Sequence, residues 1–230
     1  MDSIGQEQSI MKLILTRDGS HSVYNSQLDE HYHSIHGAIQ ESVHVFINAG
    51  LNAFACESEQ INILEIGLGT GLNAILTFME AGKYKKIHYT AVEAYPLDMK
   101  LIKDLNYLPM LNGQAFSNVF DSIHASEFEK NVALSADFIF KKIHNTIQNT
   151  IFVQKFDLVY YDAFGPRAQP EMWQREIFQK LYNALNPGAI LVTYCAKGEV
   201  KRFLKSVGFS VETLPGPPRK REMVRARKLS

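Results

Sequence analysis

The sequence predicts an α/β fold, a mainly parallel sheet with helices on both faces, and three observations carry that reading. Strand and helix signals alternate from about residue 61 onward. The first strand of that series runs directly into a glycine-rich turn, Gly67-Leu68-Gly69-Thr70-Gly71. The 230 residues, 46% apolar and 21% charged, are enough for one sizeable core but not for two enzymatic domains.

The first sixty residues stand outside the alternation. Leu13 to Thr16 and Val23-Tyr24, separated by Arg17-Asp18-Gly19-Ser20, predict a small hairpin. Ile39, Val43, Phe46 and Ile47 then share one face of a helix from about His36 to Ala49. Residues 1–60 are therefore expected to form an N-terminal extension placed to cover the ligand edge of a main domain at 61–230.

Within the main domain Ile61 to Ile66 is a β-branched strand, and Leu72 to Ala81 is a helix closed by Gly82. Lys86 to Ala94 is the second strand. Leu97, Leu101 and Leu105 mark a helix by their spacing. Phe138 to Ile143 and Phe156 to Tyr161 follow as strands, and Trp173 to Leu185 is a helix stopped by Asn186-Pro187-Gly188. Ala189 to Cys195, Phe209 to Leu214 and Arg221 to Arg227 complete a seven-stranded sheet, with a helix from Glu199 to Val207. Helical crossovers imply parallel neighbours. The last two strands are joined only by Pro215-Gly216-Pro217-Pro218 and adjoining residues, so they should pair antiparallel.

Charge is balanced overall, 24 Lys and Arg against 24 Asp and Glu, but unevenly placed. From Lys197 to the end there are ten basic residues and three acidic ones, whereas no Lys or Arg lies between Arg17 and Lys83. Such a basic stretch either meets a polyanion, whose phosphates act within a Debye length of roughly 10 Å, or is a solvated face. The opening Met1 to Glu7 has no basic or apolar signal region, and no apolar run approaches the roughly 18 residues of a membrane span. Cys56 and Cys195 are too few for a disulfide framework or a thiolate metal cluster. The expectation is a cytoplasmic chain with no membrane contact.

The glycine turn stands where a doubly wound sheet places its ligand crevice. A dinucleotide fingerprint would need its third glycine where Leu72 stands, which disfavours NAD. The spacing Glu65-x-Gly67-x-Gly69-x-Gly71 instead resembles the signature of class I S-adenosylmethionine methyltransferases. Packing alone could also account for a glycine-rich turn. Glu93 ends the second strand, where its carboxylate could accept both ribose hydroxyls of an adenosine or simply cap a helix. At the end of the fourth strand Asp162 could hold an amine and receive its proton, and Phe164 could pack on a planar base. A turn-forming Asp beside a core Phe is the alternative. His31, His33 and His36 fall on no common face of a strand or helix, so a lid containing Tyr24 and Tyr32 is expected there rather than a metal.

The longer string settles the resemblance. Asp162-Ala163-Phe164-Gly165-Pro166, then Pro170-Glu171-Met172-Trp173, Pro187 to Leu191 and Gly216 to Met223 resemble the MnmC-like methyltransferase family, in particular its stand-alone MnmD-type members. Asp18-Gly19-Ser20, Asp29 to Ser34, Gly37-Ala38 and Gln40-Glu41-Ser42 extend that similarity over nearly the whole chain. The resemblance implies a class I methyltransferase fold and S-adenosyl-L-methionine as cofactor. It further implies tRNA, at the anticodon region, as partner, and methylation of the aminomethyl nitrogen of wobble 5-aminomethyl-(2-thio)uridine. Separate enzymes would supply the aminomethyl group, since bifunctional relatives carry a fused oxidase domain, and no stable protein partner is implied.

Carried onto this chain, the resemblance gives Asp162 and Phe164 as catalytic. It gives Glu65, Gly67, Gly69, Gly71, Glu93, Asn145, Asp162 and Tyr24 as cofactor-binding, and Phe164, Pro166, Arg219, Lys220 and Arg221 as substrate-binding. Asn145 stands near where members often carry an adenine-binding Asp, with Asp137 or Glu127 as alternatives. Two rivals keep the same fold: an aminopropyltransferase resembling spermidine synthase, and a non-catalytic RNA-binding module.

Overall fold

The computed structural model describes residues 10–54, 59–84 and 86–229; the opening residues and Cys56 lie outside the described residues. The chain begins with a three-stranded antiparallel sheet, β1 (Met11–Leu15), β2 (His21–Asn25) and β3 (Glu30–His31). The Asp18-Gly19-Ser20 turn ties this sheet to the next helix. Asp18 Oδ1 accepts the Thr16 hydroxyl at 2.7 Å and the Ser20 N–H at 3.0 Å, and Oδ2 accepts the Gln40 N–H at 3.0 Å. Burial alone would raise this carboxyl, but those hydrogen bonds hold it below its ordinary range.

The expected helix over 36–49 starts later and changes pitch. α1 (Ala38–Ser42) continues as a π-helical segment, Val43–Asn48. Its start is set by Gly37, at φ 152°, where a Cβ would lie 2.7 Å from Asp18 Oδ2. Val23, Ala38, Val45, Phe46 and Leu51 from these segments are buried in the same core as the main sheet, so the extension shares its core with residues 61–229.

The main sheet contains β4 (Ile61–Ile66), β5 (Ile87–Glu93), β6 (Asn131–Ser135), β7 (Phe138–His144), β8 (Phe156–Tyr161), β9 (Leu185–Thr193), β10 (Phe209–Pro215) and β11 (Glu222–Lys228). Their spatial order is β10-β11-β9-β8-β4-β5-β7-β6. The five strands from β9 to β7 are parallel; β11 pairs antiparallel with β9 and β10, and β6 with β7. The sheet thus has eight strands rather than the expected seven. The additional strand, β6, is a short edge hairpin with a register shift at Ala133/Ser135. It is largely exposed and makes little of the apolar pattern that marks a buried strand.

Helices α2 (Leu72–Glu80), α3 (Met99–Lys103), α4 (Tyr107–Met110), α5 (Ser117–Ala125), α6 (Arg175–Ala184) and α7 (Gly198–Ser206) complete the chain. The helix expected over 97–105 is shorter and is followed by α4, while α5 has no counterpart in the sequence reading. Period-two alternation sends Ile63, Tyr89, Phe138, Phe140, Leu158 and Tyr160 to the face covered by α2, α5 and the extension. Leu64, Val159, Tyr161 and Leu191 face α6 and α7 instead. β9 begins at Leu185, four residues before the expected start, and accommodates Pro187 through a register irregularity opposite Phe156/Leu158. Among the described residues no helix is long and apolar enough to cross a membrane.

The aromatic ladder makes the first face sensitive to truncation. Phe138 is fully buried, with its ring centroid 5.3 Å from Phe78 and 6.0 Å from Tyr89. Phe138→Ala is expected to cost about 3–5 kcal/mol in urea unfolding. Val153→Ala, at a side chain 96% exposed, should stay within about 0.5 kcal/mol. Equal losses at the two sites would contradict this core assignment.

Candidate active site

The parallel strands reverse their winding between β4 and β8, and the crevice opens at their carboxyl ends. Here the chain must turn three times through left-handed backbone: Gly67, Gly69 and Gly71 have φ of 88°, 50° and 74°. Each glycine meets a different neighbour. A Cβ on Gly67 would lie 2.9 Å from the Asp162 carbonyl oxygen, and one on Gly69 2.9 Å from the Tyr32 ring. A Cβ on Gly71 would lie 2.5 Å from His124 Nε2, on the α5 side. Gly67 and Gly69 therefore line the crevice, whereas Gly71 is required by packing beneath it.

The crevice is a cavity of about 1030 Å³, at the upper end of the roughly 300–1,000 Å³ typical of single-ligand pockets. Glu93, at the end of β5, accepts the Gly69 N–H on Oε2 at 2.8 Å and the Tyr95 N–H on Oε1 at 2.7 Å. Each oxygen keeps a lone pair for a ribose hydroxyl. Asn145 lines the same wall, with its Oδ1 taking the Thr146 N–H at 2.9 Å. Asp137 sits instead at the opposite end of the strands, before β7, where its carbonyl accepts the N–H that begins β5. Glu127 pairs with Lys130 on the surface. Neither replaces Asn145. A glycine cradle that admits no side chain, with a carboxylate at the next strand end, fits an adenosyl cofactor.

The extension forms the roof. Tyr32 stands edge-on to Phe164, ring centroids 4.8 Å apart, above Gly69. His33 Nε2 lies 2.7 Å from Thr70 Oγ1, and burial lowers this imidazole to about 4, so it is neutral. His31 instead meets Tyr24 at 4.9 Å. Both His31 and His33 line the cavity, whereas His36 does not. Tyr24, expected at the cofactor, turns outward and donates to Asp29 at 2.8 Å because β2 alternates its side chains and sends Val23 into the core.

Asp162 follows the last residue of β8 at the cavity floor. Its N–H donates to the Ile66 carbonyl at 3.1 Å, and its Oδ2 accepts from Asn73 Nδ2 at 2.8 Å. Burial, reinforced by Glu41, raises this carboxyl to about 7, against the lowering effects of Asn73 and Lys220. The following loop is pinned by its carbonyls: Ala163 accepts the Tyr194 hydroxyl and Phe164 accepts the Trp173 indole N–H, both at 2.7 Å. Phe164 thereby presents its ring to the cavity.

Gly71, expected at the cofactor, does not line the cavity, as Tyr24 does not, and two further expectations are corrected here. Glu65 is fully buried and accepts from Asn73 Nδ2 at 2.9 Å; it stands beneath the cofactor turn and does not line the cavity. Lys220 is not part of a uniform basic patch with Arg219 and Arg221. Its ammonium pairs with Glu41 and lies 4.1 Å from the centre of the Tyr194 ring, on the cavity wall. Arg219 and Arg221 stay exposed outside the cavity, and Pro166 lines a second, adjoining opening of about 510 Å³ with Arg167 and Lys197.

Asn73, Glu41 and Tyr194 are the functional neighbours that sequence reasoning did not assign. Only Glu41 lay within a motif, Gln40-Glu41-Ser42. Tyr194 follows a strand and Asn73 begins a helix, positions with no chemical signature of their own. The assembled group can hold an amine beside a carboxylate, stack a planar base and exclude water under Tyr32.

A family model described as S-adenosyl-L-methionine-dependent methyltransferase matches residues 110–229. The tRNA 5-methylaminomethyl-2-thiouridine biosynthesis bifunctional protein MnmC of Magnetococcus marinus is 31% identical over 216 residues, covering 88% of this chain and 32% of that protein. The protein of the same name from Cupriavidus metallidurans is 28% identical over 228 residues, covering 93% and 33%. The chain thus spans about a third of the length of these relatives. The crystal structure of MNMC2 from Aquifex aeolicus has the same fold, with a TM-score of 0.77 at 24% identity, over 98% of this chain and 72% of that one.

The cradle can be tested directly by calorimetry with S-adenosyl-L-methionine. Glu93→Ala should weaken binding by about 1.5–3 kcal/mol, the worth of a charged hydrogen bond. Gly69→Val, strained at φ 50° and pressed against Tyr32, should abolish measurable binding. Wild-type affinity in both variants would place the cofactor elsewhere.

Proposed function

The chain belongs to the family of S-adenosyl-L-methionine-dependent methyltransferases, and from that premise we propose that it methylates the aminomethyl nitrogen of a wobble uridine in tRNA. The observation that carries this reading is the placement of Asp162 and Phe164 together just beyond β8, with only Ala163 between them, both lining the cavity beside the glycine cradle. A carboxylate suits the amine, an aromatic face suits the uracil ring, and the volume suits a nucleoside beside a cofactor. The names of the MnmC relatives support the same substrate.

The bound cofactor supplies an electrophilic methyl group on a sulfonium. The chain's own residues must align the acceptor, exclude water and manage one proton. An ammonium has no lone pair, so the acceptor must be bound as the free amine; the ionised Asp162 carboxylate accepts its hydrogen bond, stabilises the positive charge that develops on nitrogen as the methyl arrives, and takes the proton that the methylated ammonium then releases. A carboxyl near 7 suits that task, because it exchanges protons at neutral pH. Lys220 stays compensated by Glu41 and does not compete for the Asp162 carboxylate. Tyr32 and Phe164 close over the reacting groups.

The acidic lining, with Glu30, Glu41, Glu93, Asp162 and Glu171, also suits a polyamine. The aromatic face of Phe164 favours the nucleoside. The tRNA would dock by its anticodon region across the mouth, beside Arg219 and Arg221. Much of the basic tail is already engaged: Arg225 pairs with Glu212, Arg227 donates to the Gly188 carbonyl, and Lys228 to those of Tyr182 and Leu185. A tRNA substrate suits a cytoplasmic chain, and the aminomethyl group must already stand on the uridine before this step.

Mass analysis of tRNA nucleosides after incubation with S-adenosyl-L-methionine tests the reading, and transfer to putrescine or to no acceptor would replace it. Asp162→Asn keeps the shape but removes the charge, and should slow single-turnover transfer by roughly 10²- to 10⁴-fold. The wild-type rate should rise as pH passes upward through about 7, because Asp162 must be ionised. A loss within about threefold for the variant would remove Asp162 from the mechanism.

Replacing Arg219 and Arg221 by Ala should weaken tRNA binding and flatten its salt dependence by roughly 0.7–0.9 in log-log slope for each phosphate no longer neutralised. Cofactor affinity should be retained. An unchanged slope would leave both arginines as solvated surface.

A further inference from the structure

The buried polar group beneath the active site has more acid than base. Glu65, at the end of β4, is fully buried and Asn73, in the first turn of α2, is 2% exposed. The single Asn73 amide nitrogen donates in two directions, to Glu65 Oε1 at 2.9 Å and to Asp162 Oδ2 at 2.8 Å. A primary amide has two N–H groups, so both are used and each carboxyl receives one. Asp162 Oδ2 is thereby turned inward. Its Oδ1 takes no hydrogen bond from any described group and stays available to an acceptor in the cavity.

Among the described residues no cation pairs with Glu65. Its Oε2 is buried without a hydrogen-bond partner, as is the hydroxyl of Tyr89. The Lys220 ammonium is committed to Glu41. An ionised carboxylate in that position would be a buried charge with no counter-ion beside a second acid, a cost that protonation removes. The Tyr89 hydroxyl, itself without a hydrogen-bond partner, offers an acceptor for the O–H of a protonated Glu65.

We propose that Asn73 is a positioning residue for methyl transfer, bridging Glu65 to Asp162 through its two N–H groups so that Asp162 is the acid of the pair that carries the charge and presents one oxygen to the acceptor. The inference rests on the methyl-transfer reading given above, and it deepens it by stating how one of two adjacent acids becomes the base. Burial holds Glu65 well above the ordinary carboxyl range, and Asn73 acts on Asp162 in the opposite sense to burial. The other groups that face Asp162 are Glu41 from α1, Lys220 from the β10–β11 turn, and the un-ionised hydroxyls of Tyr89, Tyr107 and Tyr194. Of these, only Lys220 favours its ionised form. Loss of the Asn73 hydrogen bond therefore raises the pH at which Asp162 ionises.

The bridge also connects the cofactor loop to the acceptor site. Asn73 follows the glycine turn by two residues, and the Thr77 hydroxyl donates to its carbonyl at 2.7 Å. Its backbone is therefore fixed by α2 while its side chain orients a group on β8.

Asn73→Asp, which preserves size, and Asn73→Ser are the variants to compare with wild type in single-turnover transfer to tRNA across pH 5.5–9, with cofactor affinity measured in parallel. The acid limb should move upward by about one pH unit or more in both, with cofactor affinity within about threefold. A slower rate with an unmoved limb indicates a merely structural residue and overturns the proposal. Infrared spectroscopy of the wild-type protein needs neither variant to fold nor any substrate to be turned over. A protonated carboxyl band should persist at pH 8 and disappear in Glu65→Gln, and its absence from wild type would overturn the proposal. Failure of the wild type to methylate tRNA while the infrared band is present would sink the substrate reading and leave the charge assignment standing.

Discussion

The tightest constraint in the molecule is the approach of the glycine turn to the end of β8. Gly67 lies against the Asp162 carbonyl with no room for a Cβ, while the Asp162 N–H bonds to Ile66 and the Gly67 N–H to Val92. Three parallel strands, β5, β4 and β8, are thereby joined at their carboxyl ends. The glycine turn, Glu93 and Asp162 are consequently placed at one end of the sheet by backbone hydrogen bonds between strands. A side chain at position 67 would separate β4 from β8 and move Asp162 relative to everything it serves.

Charge is distributed around that junction by burial and pairing. Glu41 and Lys220 come from opposite ends of the chain and compensate each other on the cavity wall, with Tyr194 beneath the ammonium. Glu41 also accepts the Ser34 N–H at 2.8 Å, so the ion pair anchors the roof segment that carries Tyr32 and His33. Glu93 remains bonded to main-chain N–H groups at the rim. Asp162, more buried and shared with Asn73, is the acid left near neutrality. One cavity therefore holds carboxyl groups with different tasks, separated by their surroundings rather than by residue type.

The N-terminal extension contributes to the core and to the site at once. Asp18 organises the β1–β2 turn and leaves room only for glycine at position 37, and Asn106 fastens the same turn to the main domain through the Gly19 carbonyl and the His21 N–H. The roof over the cavity is thus held by several polar contacts to the body of the protein.

Local sequence determined much of this: the strand–helix alternation, the left-handed glycines, Glu93 at a strand end and the Asp162–Phe164 pair each depend on a short stretch of chain. The eighth strand and α5 escaped because exposed edges and half-buried short helices leave weak periodicity. Tertiary structure decided the chemical roles of residues that looked equivalent in sequence. Glu65 withdrew beneath the turn because β4 is buried on both faces, Tyr24 turned out because Val23 turned in, and Lys220 left its arginine neighbours for Glu41, 179 residues earlier. Those outcomes depend on which groups meet across the fold, and on whether a buried charge finds a partner there, which no local spacing encodes.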